Sequence, residues 1–84
     1  MTNAFVTVTD ARRAAALIAH YSVANVEGCN LILKEANDEQ RVTNLIQAIL
    51  DVYQTIVPLL HTELGVTAIR GCIATLAMRE EEER

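Results

Sequence analysis

The sequence predicts an all-α protein: an antiparallel helical hairpin of two long helices, the second kinked at Pro58, plus a shorter third helix, together a small self-associating helical bundle. Three observations predict it. Apolar residues recur at spacings of three and four along most of the chain, the signature of a helix with one buried face. Helix-start chemistry stands at residues 7–10, at residues 37–40 and at Thr67. Hydrophobic residues make up 51% of the chain but aromatics only 4%, so the core must be built from Ala, Val, Ile and Leu, which interdigitate well between helices. At 84 residues the chain reads as one domain, residues 1–84.

Residues 1–7 are expected to form an extended or disordered arm. Thr7 and Asp10 have the spacing of a capping box, with Val6 as the preceding residue of a hydrophobic staple, so the first helix starts here. Ala14, Leu17, Ile18, Tyr21, Ala24, Gly28, Leu31 and Ile32 line one face of it. Val23, Val26 and Leu33 lie off that stripe, which gives the helix a second face seeking burial. Asn37, with Gln40 three residues on and acids between, predicts the cap of the second helix. Its stripe runs from Val42, Leu45, Ile46 and Ile49 through Tyr53 and Ile56 to Leu64, and Gly65 supplies a left-handed terminating residue. Pro58 clashes with the carbonyl of Gln54 and lacks an amide hydrogen, which predicts a kink inside this helix. Thr67 caps the third helix, whose stripe is Ile69, Cys72, Ile73 and Leu76. Negative charge at a helix C-terminus opposes the dipole, so residues 80–84 are expected to be a frayed acidic tail.

The lengths then do not match. The two long helices reach about 40 Å each and the third about 25 Å at ~1.5 Å per residue, so the third covers only half of the hairpin. A domain near this size buries only about 60% of the surface of its unfolded chain, too little to hide so many apolar residues. The expectation is a homo-oligomer joined through the uncovered end, at Leu31, Ile32, Val42, Leu45 and Ile49.

Chemistry is sparsely encoded. A formal net charge of −4 opposes attraction to nucleic acid or an anionic membrane, and no apolar run is long enough to span a bilayer. With no secretory signal pattern and two cysteines, Cys29 and Cys72, that fit neither a CxxC pair nor a disulfide framework, the expected location is cytoplasmic, with both thiols reduced. The single lysine among six arginines and twelve alanines hints at GC-rich coding. The metal-capable residues His20, Glu27, Asp51, His61 and Glu63 have no Glu-x-x-His or His-Glu-x-x-His spacing, and the three glycines form no phosphate loop. No catalytic residue, metal or cofactor is assigned.

The functional expectation is a non-enzymatic protein–protein interaction module that acts as a homo-oligomer and modulates a host or cellular protein of unidentified kind. The alternative is a small helical enzyme with an interhelical site using Asp51, His20 or Tyr53 as acid or base. A third reading, a dimeric nucleic-acid-binding regulator, draws on Arg12, Arg13 and Arg41.

Overall fold

The computed structural model describes residues 5–83, and every regular element in them is helical. Four α-helices, α1 (Val8–Ser22), α2 (Val26–Asp38), α3 (Val42–Ile56) and α4 (Glu63–Glu83), are joined by tight turns, with one 3-10 turn at Pro58–His61 before α4. Thr7 caps α1 as its spacing predicts. Its hydroxyl accepts from the Asp10 amide at 3.1 Å, and the Asp10 carboxylate accepts from the Thr7 amide at 2.9 Å. Val6 beside it is buried at 5% exposure. Phe5 is tied down as well, its carbonyl accepting from Asn44 Nδ2 at 2.8 Å. The rest of the expected arm, residues 1–4, lies outside the described residues.

The first predicted helix is two helices. α1 stops at Ser22, Ala24 takes a left-handed conformation (φ 57°), and Asn25 caps α2 by accepting from the Gly28 amide at 2.9 Å. A left-handed alanine costs roughly 1–2 kcal/mol. Folding α2 back along α1 offsets it, because one long helix would leave both of its apolar faces bare. Gly28 is needed at this crossing, since a Cβ there would stand 2.5 Å from the His20 ring. A second left-handed residue, Gln40 (φ 57°), closes the α2–α3 turn. Asn37 therefore lies inside α2, and α3 starts five residues later than the expected cap, behind Arg41, which makes no side-chain cap bond.

Two reversals bring α3 parallel to α1. Arg41 at the start of α3 reaches Asp10 in the first turn of α1, while Ile49 and Tyr53 line one groove with Leu17 and Tyr21 further along. Ala14, Ala36 and Ala48, all at 0% exposure, form the core with Val6 and Leu45. Leu17, Val42, Ile49 and Val52 pack around them. Ile32 on α2 is buried too.

Pro58 breaks the second predicted helix instead of kinking it. α3 ends at Ile56, and the proline takes the first position of the 3-10 turn, where a missing amide hydrogen leaves no bond unmade. Thr62, not Thr67, starts α4: its hydroxyl accepts from the Gly65 amide at 3.3 Å and its carbonyl from the Val66 amide at 2.8 Å. Gly65 is not a helix end. It sits in the first turn of α4 because the backbone of the preceding turn passes so close that a Cβ would lie 2.1 Å from the Leu59 carbonyl oxygen.

The third predicted helix, expected short and docked, is the longest element. At 21 residues α4 extends about 31 Å at ~1.5 Å per residue, and it continues through the expected frayed tail to Glu83. It packs only against the 3-10 turn among the described elements, and every residue from Thr67 to Glu83 is exposed.

Candidate interaction surface

The groups that an enzyme would use do not converge. His20 closes the end of α1, its Nδ1 at 3.2 Å from Asn25 Nδ2, a contact that holds the α1–α2 turn. Asp51 is buried on α3, with one carboxylate oxygen accepting from Gln47 Nε2 at 3.3 Å and the other without a partner. Tyr53 stands at the rim of the α1–α3 groove. Among the described residues no hydrogen bond links any two of these three, and no three His, Cys, Asp or Glu side chains cluster as metal ligands.

The cations proposed for phosphate contact are engaged inside the fold. Arg13, at 3% exposure, lies between Glu39 (2.7 Å) and Glu35 (3.2 Å), and so holds α1 to α2. The bond to Glu39 is the main cause raising the Arg13 pKa, and the same bond lowers that of Glu39. Arg41 grips Asp10 through two bonds, Nε at 3.2 Å and Nη2 at 2.5 Å, which together join the starts of α3 and α1. Chiefly through that contact the Asp10 carboxyl titrates far below the ordinary carboxylate range, with the Thr7 bonds adding to the effect against the cost of burial. Arg12 is exposed and reaches Glu35 at 3.6 Å. These ion pairs neutralise one another and form a structural belt at one end of the three-helix unit.

Of the residues expected to join two copies, Ile32 and Leu45 are buried at 5% and 1% exposure within their own chain. Val42 and Ile49 pack against that core, and Leu31 alone points outward, on α2. The expected interface residues are thus mostly spent on folding α2 and α3 against α1, because the break at Ala24 supplies from within the chain the cover that a second copy was expected to provide.

Of the apolar surfaces left on the described residues, two bear on function. The first is a shallow groove of about 310 Å³ between α1, α2 and α3, lined by Leu17, Ile18, Tyr21, Leu33, Ile49 and Tyr53, with half-buried Cys29 at its floor. The second is α4. Val66, Ile69, Ile73 and Leu76 succeed one another at spacings of three, four and three, so they make a single seam along the helix, with Cys72 on its flank. Ile73 and Leu76 are 60% and 56% exposed. The inward placing of Cys72 implied by its stripe is corrected accordingly: it is free and exposed, since no described residue of its own chain covers α4 there. Ile69, Ile73 and Leu76 were legible in the sequence as one stripe; Val66, ahead of the expected cap at Thr67, and the lack of cover were not.

No known protein family, curated protein sequence or solved structure matches this chain. Among the described residues no helix is long and apolar enough to cross a membrane.

Proposed function

We propose that this chain is a non-enzymatic protein–protein interaction module that works as a homo-oligomer. One observation carries the reading. The chain exposes 6467 Å², whereas a compact monomer of its 9.3 kDa exposes about 5,000 Å². The radius of gyration agrees, at 15.1 Å against about 12 Å for a compact domain of this length. Much of the excess is apolar, on residues such as Leu64, Ile73, Leu76 and Met78. Large exposed apolar surface of this kind marks association sites in folded proteins. The free thiols at Cys29 and Cys72 fit a reducing compartment, and we place the protein in the cytoplasm. A heterologous protein partner fits the α1–α3 groove, which self-association through another face leaves open.

Sedimentation equilibrium tests the reading. The expected result is a closed oligomer, of twice the 9.3 kDa chain mass or a higher multiple, throughout the micromolar range. A well-folded monomer at the top of that range overturns it.

A further inference from the structure

α4 carries a continuous apolar seam along a helix that, from Thr67 onward, is exposed at every residue and packs against none of α1, α2 and α3 of its own chain. Most helical stability in proteins comes from tertiary packing of an apolar face, and α4 finds no such packing on α1, α2 or α3 of its own chain. The packing must then come from another molecule. We infer that α4 is the assembly element: two copies pair their α4 helices antiparallel, seam against seam, about a two-fold axis that crosses the seam level with residue 71. This inference rests on the self-association reading and names the surface that performs it.

The spacing supports a two-fold antiparallel pair. With Val66 level with the partner's Leu76, Ile69 falls level with the partner's Ile73, because both pairs share one midpoint on the helix. Each copy then presents the same four residues to the other, as an isologous interface requires. Alternate spacings of three and four are the pattern by which two helices interlock their side chains.

Charge selects the direction. Parallel pairing would lay the acidic runs at residues 80–83 of both copies side by side, at the end where both helix dipoles are also negative. Antiparallel pairing carries each acidic run to the start of the partner's α4, where the helix amides bear partial positive charge, and sets Glu63 in that first turn level with the partner's Arg79. The surplus of about 1,500 Å² over a compact monomer is spread over the whole chain, and α4 carries part of it on Leu64, Ile69, Ile73, Leu76 and Met78. Gly71, with Ala68 and Thr75 beside it, faces away from the seam on the helix and offers only small side chains.

Three measurements on the full chain test this. Ile73→Glu and, separately, Leu76→Glu should each halve the sedimenting mass at concentrations where the parent is fully dimeric, while the thermal transition of the α1–α3 unit persists, since neither side chain touches that unit. Gly71→Leu, on the far side of the helix, should leave the dimer intact. A spin label on Glu82→Cys, with Cys29→Ala and Cys72→Ala, should report a label separation of roughly 33 Å at ~1.5 Å per residue from the midpoint. A dimer that survives both glutamate variants, or that Gly71→Leu dissociates, overturns the seam and leaves self-association standing through another surface. A label distance under about 20 Å, expected of neighbouring parallel helices, overturns the antiparallel direction. A monomeric parent overturns both the inference and the reading beneath it.

Discussion

The three-helix unit and α4 are built from similar residues and end in opposite states. In the unit, Ala14, Ala36 and Ala48 are fully buried and let three short helices approach closely; in α4, Ala68, Ala74 and Ala77 are exposed. The unit also holds the ion pairs that tie one helix to another, Arg13 to Glu35 and Glu39 and Arg41 to Asp10, whereas α4 has no such tie among the described residues. Apolar content does not decide burial. What decides it is whether the turns return a helix to its neighbours, and the turns at Ala24 and Gln40 do so while the one at Pro58–His61 does not.

The largest break in this contrast should come from Leu45→Ala. Leu45 is the largest apolar side chain fully buried in the unit, and its truncation is expected to cost about 2–5 kcal/mol, read as a fall in the denaturant midpoint of α1–α3. The same truncation at exposed Ile73 should leave that midpoint nearly unchanged.

Gly65→Ala should act on the joint between the regions. The added Cβ meets the Leu59 carbonyl oxygen, a backbone atom that cannot swing aside, so a cost of about 1–3 kcal/mol is expected. Hydrogen exchange should quicken in the first turn of α4 and stay unchanged in α1.

Acid should weaken the unit through Asp10. Its folded pKa lies below the ordinary value, so the stability it contributes is fully present above about pH 4 and is lost as pH falls from there toward the depressed folded value. Urea melts of the parent should therefore lose more stability between about pH 6 and about pH 3 than those of Asp10→Asn, which is weaker at neutral pH but lacks that titration. Equal losses in the two proteins would show that Arg41 does not hold this carboxylate in the folded state.

The smallest expected effect is a gain. No described atom lies within 4 Å of a Cβ at Gly71, so Gly71→Ala should stabilise α4 by up to ~1 kcal/mol through helix propensity alone. Circular dichroism should report a small rise in helicity, with the melting of the three-helix unit unmoved.

The helical class, the capping box at Thr7 and Asp10, the buried Val6 and three of the four seam residues of α4, Ile69, Ile73 and Leu76, were legible in the sequence. The break at Ala24 was not, because apolar spacing continues through it from Tyr21 to Leu31 and the left-handed residue is an alanine instead of a glycine. Asn25 was the available signal, a good capping residue inside an otherwise periodic run. At Pro58 the same local chemistry allowed a kink or a new turn, and tertiary context selected the turn. The expected interface fell on Ile32 and Leu45 because periodicity identifies a face that seeks cover without saying which element covers it.

The order of the elements along the chain also bears on how the protein is made. All three helices of the packed unit are complete at Ile56, so a ribosome releases their whole core before it releases any of the α4 seam. N-terminal parts of a chain begin folding during synthesis, and here that part draws its core from no residue of α4. The α4 seam emerges after the α1–α3 unit, on a chain whose core is already complete without it. Nascent chains on neighbouring ribosomes of one message would meet through α4 only after the α1–α3 core has left the ribosome, so assembly follows the folding of that unit and does not compete with it.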